Sequence, residues 1–246
     1  MKHTPLYQEH MAMGGQMGCF KGYALPSQYL GVEDEHRAVR EKSGLFDRSY
    51  LTRVLIIGPN AAVAVQHLKD HGLPGAKVMD LTEKTAQITL QGPHSKHILS
   101  CICQQLPEKP YRCNETEVVG RQCFVASVGF SGESAYEIFC MADAAASLWR
   151  EILDASDEDE PIPCGTEAWQ SLLLEAGVPV YGRELTEEIT PFEAGLGCFV
   201  RPLQGEFVGK RALDRQVLQG VPRKLIGLVM EGDDIPQPGA VVYDYG

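Results

Sequence analysis

Two strand-like segments separated by four turn residues constrain this chain most. Residues 117–130 and 135–141 are rich in apolar and β-branched side chains, and Ser131-Gly132-Glu133-Ser134 between them reads as a hairpin turn. An isolated hairpin is marginal in water, so one face must be covered by other parts of the chain. Further strands are predicted at 53–57, 78–81, 86–90 and 225–230. Helices are predicted over 33–42, stopped by Gly44, and over 166–176, stopped by Gly177. Others start at Asn60 with Ala61, Val65 and Leu68, run through Ile98, Leu99 and Ile102, follow Asp143 as cap, and span 209–219. Thr190-Pro191-Phe192-Glu193 has the form of a capping box. The first thirty residues read as an ordered loop with aromatic anchors at Tyr7, Phe20, Tyr23 and Tyr29. This order of elements implies an α+β fold with antiparallel sheets and packed helices.

A chain of 246 residues is long enough to bury a real core. With 22 Lys and Arg against 33 Asp and Glu, the formal net charge is −11. That balance argues against a dedicated nucleic-acid or anionic-membrane binder. Neither a membrane-length apolar run nor a secretory leader is apparent, so a cytoplasmic protein is expected, or one of the mitochondrial matrix if eukaryotic. Eight cysteines then read as buried reduced thiols. There is no Walker loop, and Gly129 and Gly132 sit in a hairpin rather than between a strand and a helix. Cys101 and Cys103 lack metal-ligand spacing, His67 and His71 have no third ligand, and no metal site is predicted. Ser131 stands one residue too close to Gly129 for a nucleophile elbow.

Glu133 and Glu137 remain, flanking the end of the hairpin. Four residues apart, they share a sheet face if the turn keeps register. Spacing leaves two readings open. One is an exposed edge with solvated carboxylates. The other is a carboxylate that accepts two donors from a flat heterocycle of the aminopyrimidine kind.

Taken as strings, several segments resemble the T-protein family of the glycine cleavage system, the tetrahydrofolate-dependent aminomethyltransferases. They include Thr4-Pro5-Leu6-Tyr7 with His10, Phe20-Lys21-Gly22-Tyr23 and Gly44-Leu45-Phe46-Asp47. They continue with Gln91-Gly92-Pro93, Gly129-Phe130-Ser131-Gly132-Glu133 with Tyr136-Glu137, Leu174-Glu175-Ala176-Gly177 with Tyr181-Gly182, and Glu188-Ile189-Thr190-Pro191. Their order is the family's, over nearly the whole chain. The resemblance implies a folate-binding fold around a central cavity and tetrahydrofolate as the acceptor of a one-carbon unit at N5. It also implies a lipoyl carrier protein of the H-protein type as partner. It assigns Glu137 to the pterin, and sets Tyr181, Glu133 and Leu51 near the folate.

The departures are specific. The block that in the family carries a Gly-Gly-Ile-hydrophobic-Asp-Asp segment, with its essential aspartate, is absent between Gly58-Pro59-Asn60 and the segment after Leu68. Leu173 stands where the family has a cavity arginine, and Leu51 where it has methionine. No catalytic residue is therefore assigned. A reduced fold is expected: a folate-binding core over 1–200 with two interleaved subdomains meeting near 85, then the linker helix and start of a shortened barrel domain over 201–246. Beside an aminomethyltransferase stand two alternatives: a non-catalytic folate-binding or protein-interaction member, and a demethylase for another donor. The apolar strand Val54-Leu55-Ile56-Ile57, short of partners, favours a homodimer.

Overall fold

The structure is a computed structural model that describes residues 1–57, 77–156, 159–201, 205–232, 234–237 and 239–243. In chain order the first elements are β1 (Lys2–His3), α1 (Tyr7–Ala12), β2 (Gln16–Phe20), β3 (Tyr23–Gln28), α2 (Val32–Glu41) and β4 (Gly44–Asp47). There follow β5 (Val54–Ile57), β6 (Lys77–Asp80), β7 (Thr85–Gln91), α3 (Ser95–Ile102), β8 (Cys113–Val118), β9 (Arg121–Ser127) and β10 (Ala135–Met141). The last are α4 (Ala145–Leu153), β11 (Ile162–Pro163), α5 (Thr166–Glu175) and α6 (Lys210–Gln219). The α+β class is as expected. The chain divides into two compact units, Met1–Val178 and Pro179–Gly246.

The centre of the first unit is a six-stranded sheet ordered β11-β4-β7-β10-β9-β8, antiparallel except for the β11–β4 edge. Its faces differ in kind. Tyr136, Ile138 and Cys140 of β10 lie with Ala86, Ile88 and Leu90 of β7, and with Cys123 and Val125 of β9, in one apolar cluster. Ile98 and Leu99 of α3 and Leu148, Trp149 and Ile152 of α4 complete that core, and all five are fully buried. This layer is where the three-to-four spacing of the helices meets the period of two in the strands. The alternate residues, Gln87, Thr89 and Gln91 of β7 and Glu137 of β10, belong by alternation to the opposite face, with register Glu137 to Thr89 and Thr89 to Phe46.

Several expectations are corrected. The first thirty residues are not a loop: they form α1 and the β2–β3 hairpin, with β1 beside β3. Gly and aromatic residues masked a short strand pattern there. The predicted long strand 117–130 is two strands, β8 and β9, turning at Val119-Gly120, both at positive φ. Gly44 does not stop α2; it opens β4 and is buried, because a Cβ there would meet Val39 at 2.5 Å and Cys164 at 2.6 Å. Asp143 sits in a single 3₁₀ turn before α4 rather than capping it. Residues 225–230 pair with no strand among the described residues, and Ile226, Leu228 and Val229 are exposed. Four of the eight cysteines are exposed, namely Cys19, Cys101, Cys113 and Cys198. The helix expected from Asn60, with His67 and His71, lies outside the described residues. The capping box is formed: Thr190 N–H donates to Glu193 (2.8 Å) and Glu193 N–H to Thr190 Oγ1 (3.3 Å), although it starts only one turn.

Glu35, in the first turn of α2 and fully buried, joins three segments. Its Oε1 accepts the backbone N–H groups of Tyr29 and Leu30, and its Oε2 accepts that of Gly165 at 2.7 Å. Gly165 has no room for a side chain: a Cβ would lie 2.1 Å from the carbonyl oxygen of Ser27. The start of α5 is therefore set against the end of β3. Removing Glu35 strands one buried donor, at Gly165, and two part-buried ones, at Tyr29 and Leu30. Glu35→Ala should cost about 1–3 kcal/mol in urea unfolding for the buried donor alone, and Gly165→Ala should lower the midpoint too. A midpoint unchanged in either variant contradicts this joint.

Candidate functional site

The polar face of the sheet is built by three neighbouring strands and closed at one end by α5. Phe46, at the centre of β4, meets Trp169 of α5 edge-on with ring centroids 5.1 Å apart. Beyond it the chain leaves the sheet through Asp47-Arg48-Ser49-Tyr50. By strand alternation Asp47 follows Leu45 to the core side, while Arg48 and Tyr50, past the strand end, line one small cavity with Phe46 and Trp169. The hydrogen bonds agree. Asp47 accepts from Thr4 (2.6 Å) and Ser49 N–H (2.8 Å), and lies 3.0 Å from His10 Nε2. Tyr29 closes that network against His10 Nδ1 at 2.6 Å. Burial pushes the Asp47 carboxyl up, but His10, Thr4 and Ser49 hold it below its ordinary range. Asp47 is thus committed to the fold.

Arg48 is different. Its guanidinium carbon lies 3.9 Å from the ring centre of Trp169 and 5.5 Å from that of Tyr50. Its Nε and Nη1 are buried with no hydrogen-bond partner. Two more buried polar atoms of β7 lack partners: Thr89 Oγ1 and Gln91 Oε1. Native proteins leave few such atoms, and each asks for a ligand or a water. The walls of Phe20, Phe46, Arg48, Tyr50, Gly165 and Trp169 enclose only about 10 Å³ as they stand, about one water.

Glu137 stands half-buried on β10, next in register to Thr89. Burial raises its carboxyl above the usual value, while Arg48 and the Gln87 amide pull it down. No ion pair within 4.0 Å joins Arg48 and Glu137 among the described residues. Glu133 lies elsewhere, in the loop from β9 to β10, where Arg40 of α2 holds its carboxylate at 3.1 Å and donates to the carbonyl of Ser131 at 2.8 Å. The same arginine binds Glu175 of α5, which also meets His36 at 2.9 Å. Leu51 is half-buried in the turn after β4, its carbonyl accepting from Arg53 at 2.7 Å. Tyr181 belongs to the second unit, is 66% exposed, and pairs by a single bridge with Leu185. Arg48 and Trp169 were not singled out from the sequence. Their signal was there: a charged residue directly after an apolar strand, and a large aromatic residue on the helix face that carries Leu173 one turn later.

The sheet thus has one dry face and one polar face, and the polar one bears a half-buried carboxyl and buried polar atoms without partners among the described residues. The sequence profile described as GCVT N-terminal domain matches residues 6–73 and 65–203, and the chain belongs to that family. It is 31% identical over 305 aligned positions to the aminomethyltransferase of Halalkalibacterium halodurans, spanning 99% of this chain and 82% of that one. It is 34% identical over 296 positions to the aminomethyltransferase of Moorella thermoacetica, spanning 97% and 81%. The fold matches the crystal structure of glycine cleavage system aminomethyltransferase T from Bartonella henselae with a TM-score of 0.76, covering 89% of this chain and 75% of that one at 24% identity. The alignments are longer than the 246 residues of the chain, so these relatives carry insertions it lacks. The profile matches in two pieces that overlap at 65–73.

The raised Glu137 carboxyl is a cost to the fold at neutral pH. A folded-state value above the unfolded one means stability present below the ordinary 4.5 and lost as pH rises through the folded value. Glu137→Gln should therefore raise the urea midpoint at pH 7. The gain should disappear below about pH 4.5, where the wild-type carboxyl is protonated in both states. A lower midpoint at pH 7 contradicts the assignment of Glu137 as a destabilising, binding carboxylate.

Proposed function

We propose that this chain binds tetrahydrofolate on the polar face of its six-stranded sheet and serves as an aminomethyltransferase of the glycine cleavage T-protein type. The observation that carries this is Glu137: an ionisable group held half-buried on a rigid central strand, at a cost, beside buried polar atoms without partners. The face fits the group. A pterin offers a ring N–H and an exocyclic amine side by side, and one carboxylate accepts both. Thr89 and Gln91 supply an acceptor-and-donor hydroxyl and an amide oxygen on the same strand. Phe46 and Trp169 supply aromatic surface for a flat ring. When bound, the reduced folate supplies the nitrogen that takes up the one-carbon unit.

The residues of this chain bind and orient. Glu137 holds the amino edge, and α5 closes one end of the face. Glu133, held by Arg40, fixes the loop that leads into β10. The family resemblance alone assigns Leu51 and Tyr181, each in its own unit, to folate binding. A lipoyl carrier protein is the corresponding donor partner. No acid–base residue is assigned, because Asp47 is engaged by His10 and Thr4 and the family's aspartate segment is missing. Loss of a positioned acid or base costs a factor of ~10²–10⁴. That same loss favours a second reading, a folate-binding member that turns over poorly or not at all.

Calorimetric titration with tetrahydrofolate, paired with ammonia release from an aminomethylated carrier protein, tests both readings. Binding with turnover is the expected outcome of the first, and binding without turnover selects the second. Absence of binding overturns both. Glu137→Ala should weaken binding at least tenfold, since each charge-assisted bond is worth roughly 1.5–3 kcal/mol. Glu133→Ala should cost much less. Equal losses, or none in either variant, contradict the assignment of Glu137.

A further inference from the structure

We propose that Arg48 is the specificity-determining residue of this site: its guanidinium takes the carbonyl edge of the bound ring, while Glu137 takes the amino edge. The ligand class is then a flat heterocycle with a lactam oxygen next to an amidine-type edge. This rests on the folate reading above and adds to it which atom of the ring is read, and by what.

Four observations carry it. Arg48 lines one small cavity with Phe46 and Trp169, and it is close enough to Glu137 for its charge to pull that carboxyl down. Its guanidinium stacks 3.9 Å over Trp169 and also faces Tyr50, so the plane of its donor fork is fixed before any ligand arrives. Its Nε and Nη1 are buried with no hydrogen-bond partner among the described residues, while a hydrogen bond to Tyr50 engages the group on one side. Finally, among the described residues it forms no ion pair, whereas Arg40, Arg121 and Arg150 each bind a glutamate. An arginine that serves the fold spends its donors on the fold, as Arg53 does on the carbonyls of Ser49, Leu51, Thr82 and Thr85. Arg48, beyond its hydrogen bond to Tyr50, keeps Nε and Nη1 uncommitted near the Glu137 carboxyl.

The pairing also explains why both charges persist. Two opposite charges on one ring edge read a donor–acceptor sequence, not merely a shape. A ring with an amino group in place of the carbonyl presents donors to Arg48 and is rejected, because the guanidinium has no acceptor. The position opposite on α5 is apolar: Leu173, one turn from Trp169, is buried and carries no polar atom. Within this part of the face the cation comes from the end of β4.

The test compares tetrahydrofolate with its 4-amino analogue in calorimetric titrations of the full chain and of Arg48→Met and Arg48→Lys. Wild type should prefer tetrahydrofolate. Arg48→Met, which keeps an unbranched side chain over Trp169, should lose roughly tenfold or more for tetrahydrofolate. The same variant should change little for the 4-amino analogue, so that the preference narrows to the part set by the ring N–H, which the analogue lacks and Glu137 accepts. Arg48→Lys should restore part of the preference by charge alone. If Arg48→Met binds tetrahydrofolate as wild type does, or loses both ligands equally with its near-ultraviolet circular dichroism intact, the proposal is overturned while folate binding stands. If Arg48→Met alters that spectrum, Arg48→Lys decides: an unchanged preference for tetrahydrofolate overturns the proposal. If wild type binds neither compound, the folate reading itself falls, and this inference with it.

Discussion

One buried carboxylate sets the geometry on which the candidate site depends. Glu35 accepts three backbone N–H groups from two distant segments, at Tyr29 and Leu30 and at Gly165. A charge inside a protein is tolerable only when such donors replace its water. The arrangement has a consequence at a distance. Gly165 is the residue before α5, so fixing its N–H fixes where that helix begins. Trp169 comes one turn later, and Arg48 lies on Trp169. The salt-bridge group of Arg40, Glu133, Glu175 and His36 holds the far end of α5 and the β9–β10 loop to α2. Those exposed pairs contribute little one by one, but together they tie the loop that leads into β10 to the helix that closes the face.

The two faces of the central sheet divide the labour. On one, aliphatic residues of β7, β9 and β10 and two helices form a core with Trp149, Ile138 and Leu90 fully buried. Its cysteines are inert there: burial pushes Cys123 up to about 11 and Cys140 to about 12. On the other, the same strands present Gln87, Thr89, Gln91 and Glu137. Gln87, Thr89 and Gln91 are themselves buried, and Thr89 and Gln91 each leave a polar atom unmatched among the described residues. Stability comes from the first face, which can then carry the cost of the second. Binding sites built on central strands are held more firmly than sites on loops.

Much of the fold was legible in the sequence where periodicity was long and local. The helices α2, α3, α5 and α6 and strands β5, β6, β7 and β10 appear within a residue or two of their expected places. What was not legible depended on partners far along the chain. Gly44 reads as a helix stop, yet the need for glycine there comes from the close approach of Val39 and Cys164. The β2–β3 hairpin has glycines and aromatics where alternation should show. Residues 225–230 have strand composition, yet a strand exists only through its ladder. For the site, Glu137 was readable from its place on the hairpin and from the family motif. Glu133 shared the motif, but the loop turns its carboxylate to Arg40. Arg48 was missed because its meaning lies in what it does not bond, which no one-dimensional pattern records.

The central claim is that the polar face of the six-stranded sheet is where the ligand goes. A crystal structure of this chain with tetrahydrofolate tests it most directly. The account predicts the pteridine ring lying on that face, with its amino edge on the Glu137 carboxylate and its plane between Phe46 and the strands β7 and β10. A ring bound at any other place, with Glu137 still beside Gln87 and out of reach, would contradict it.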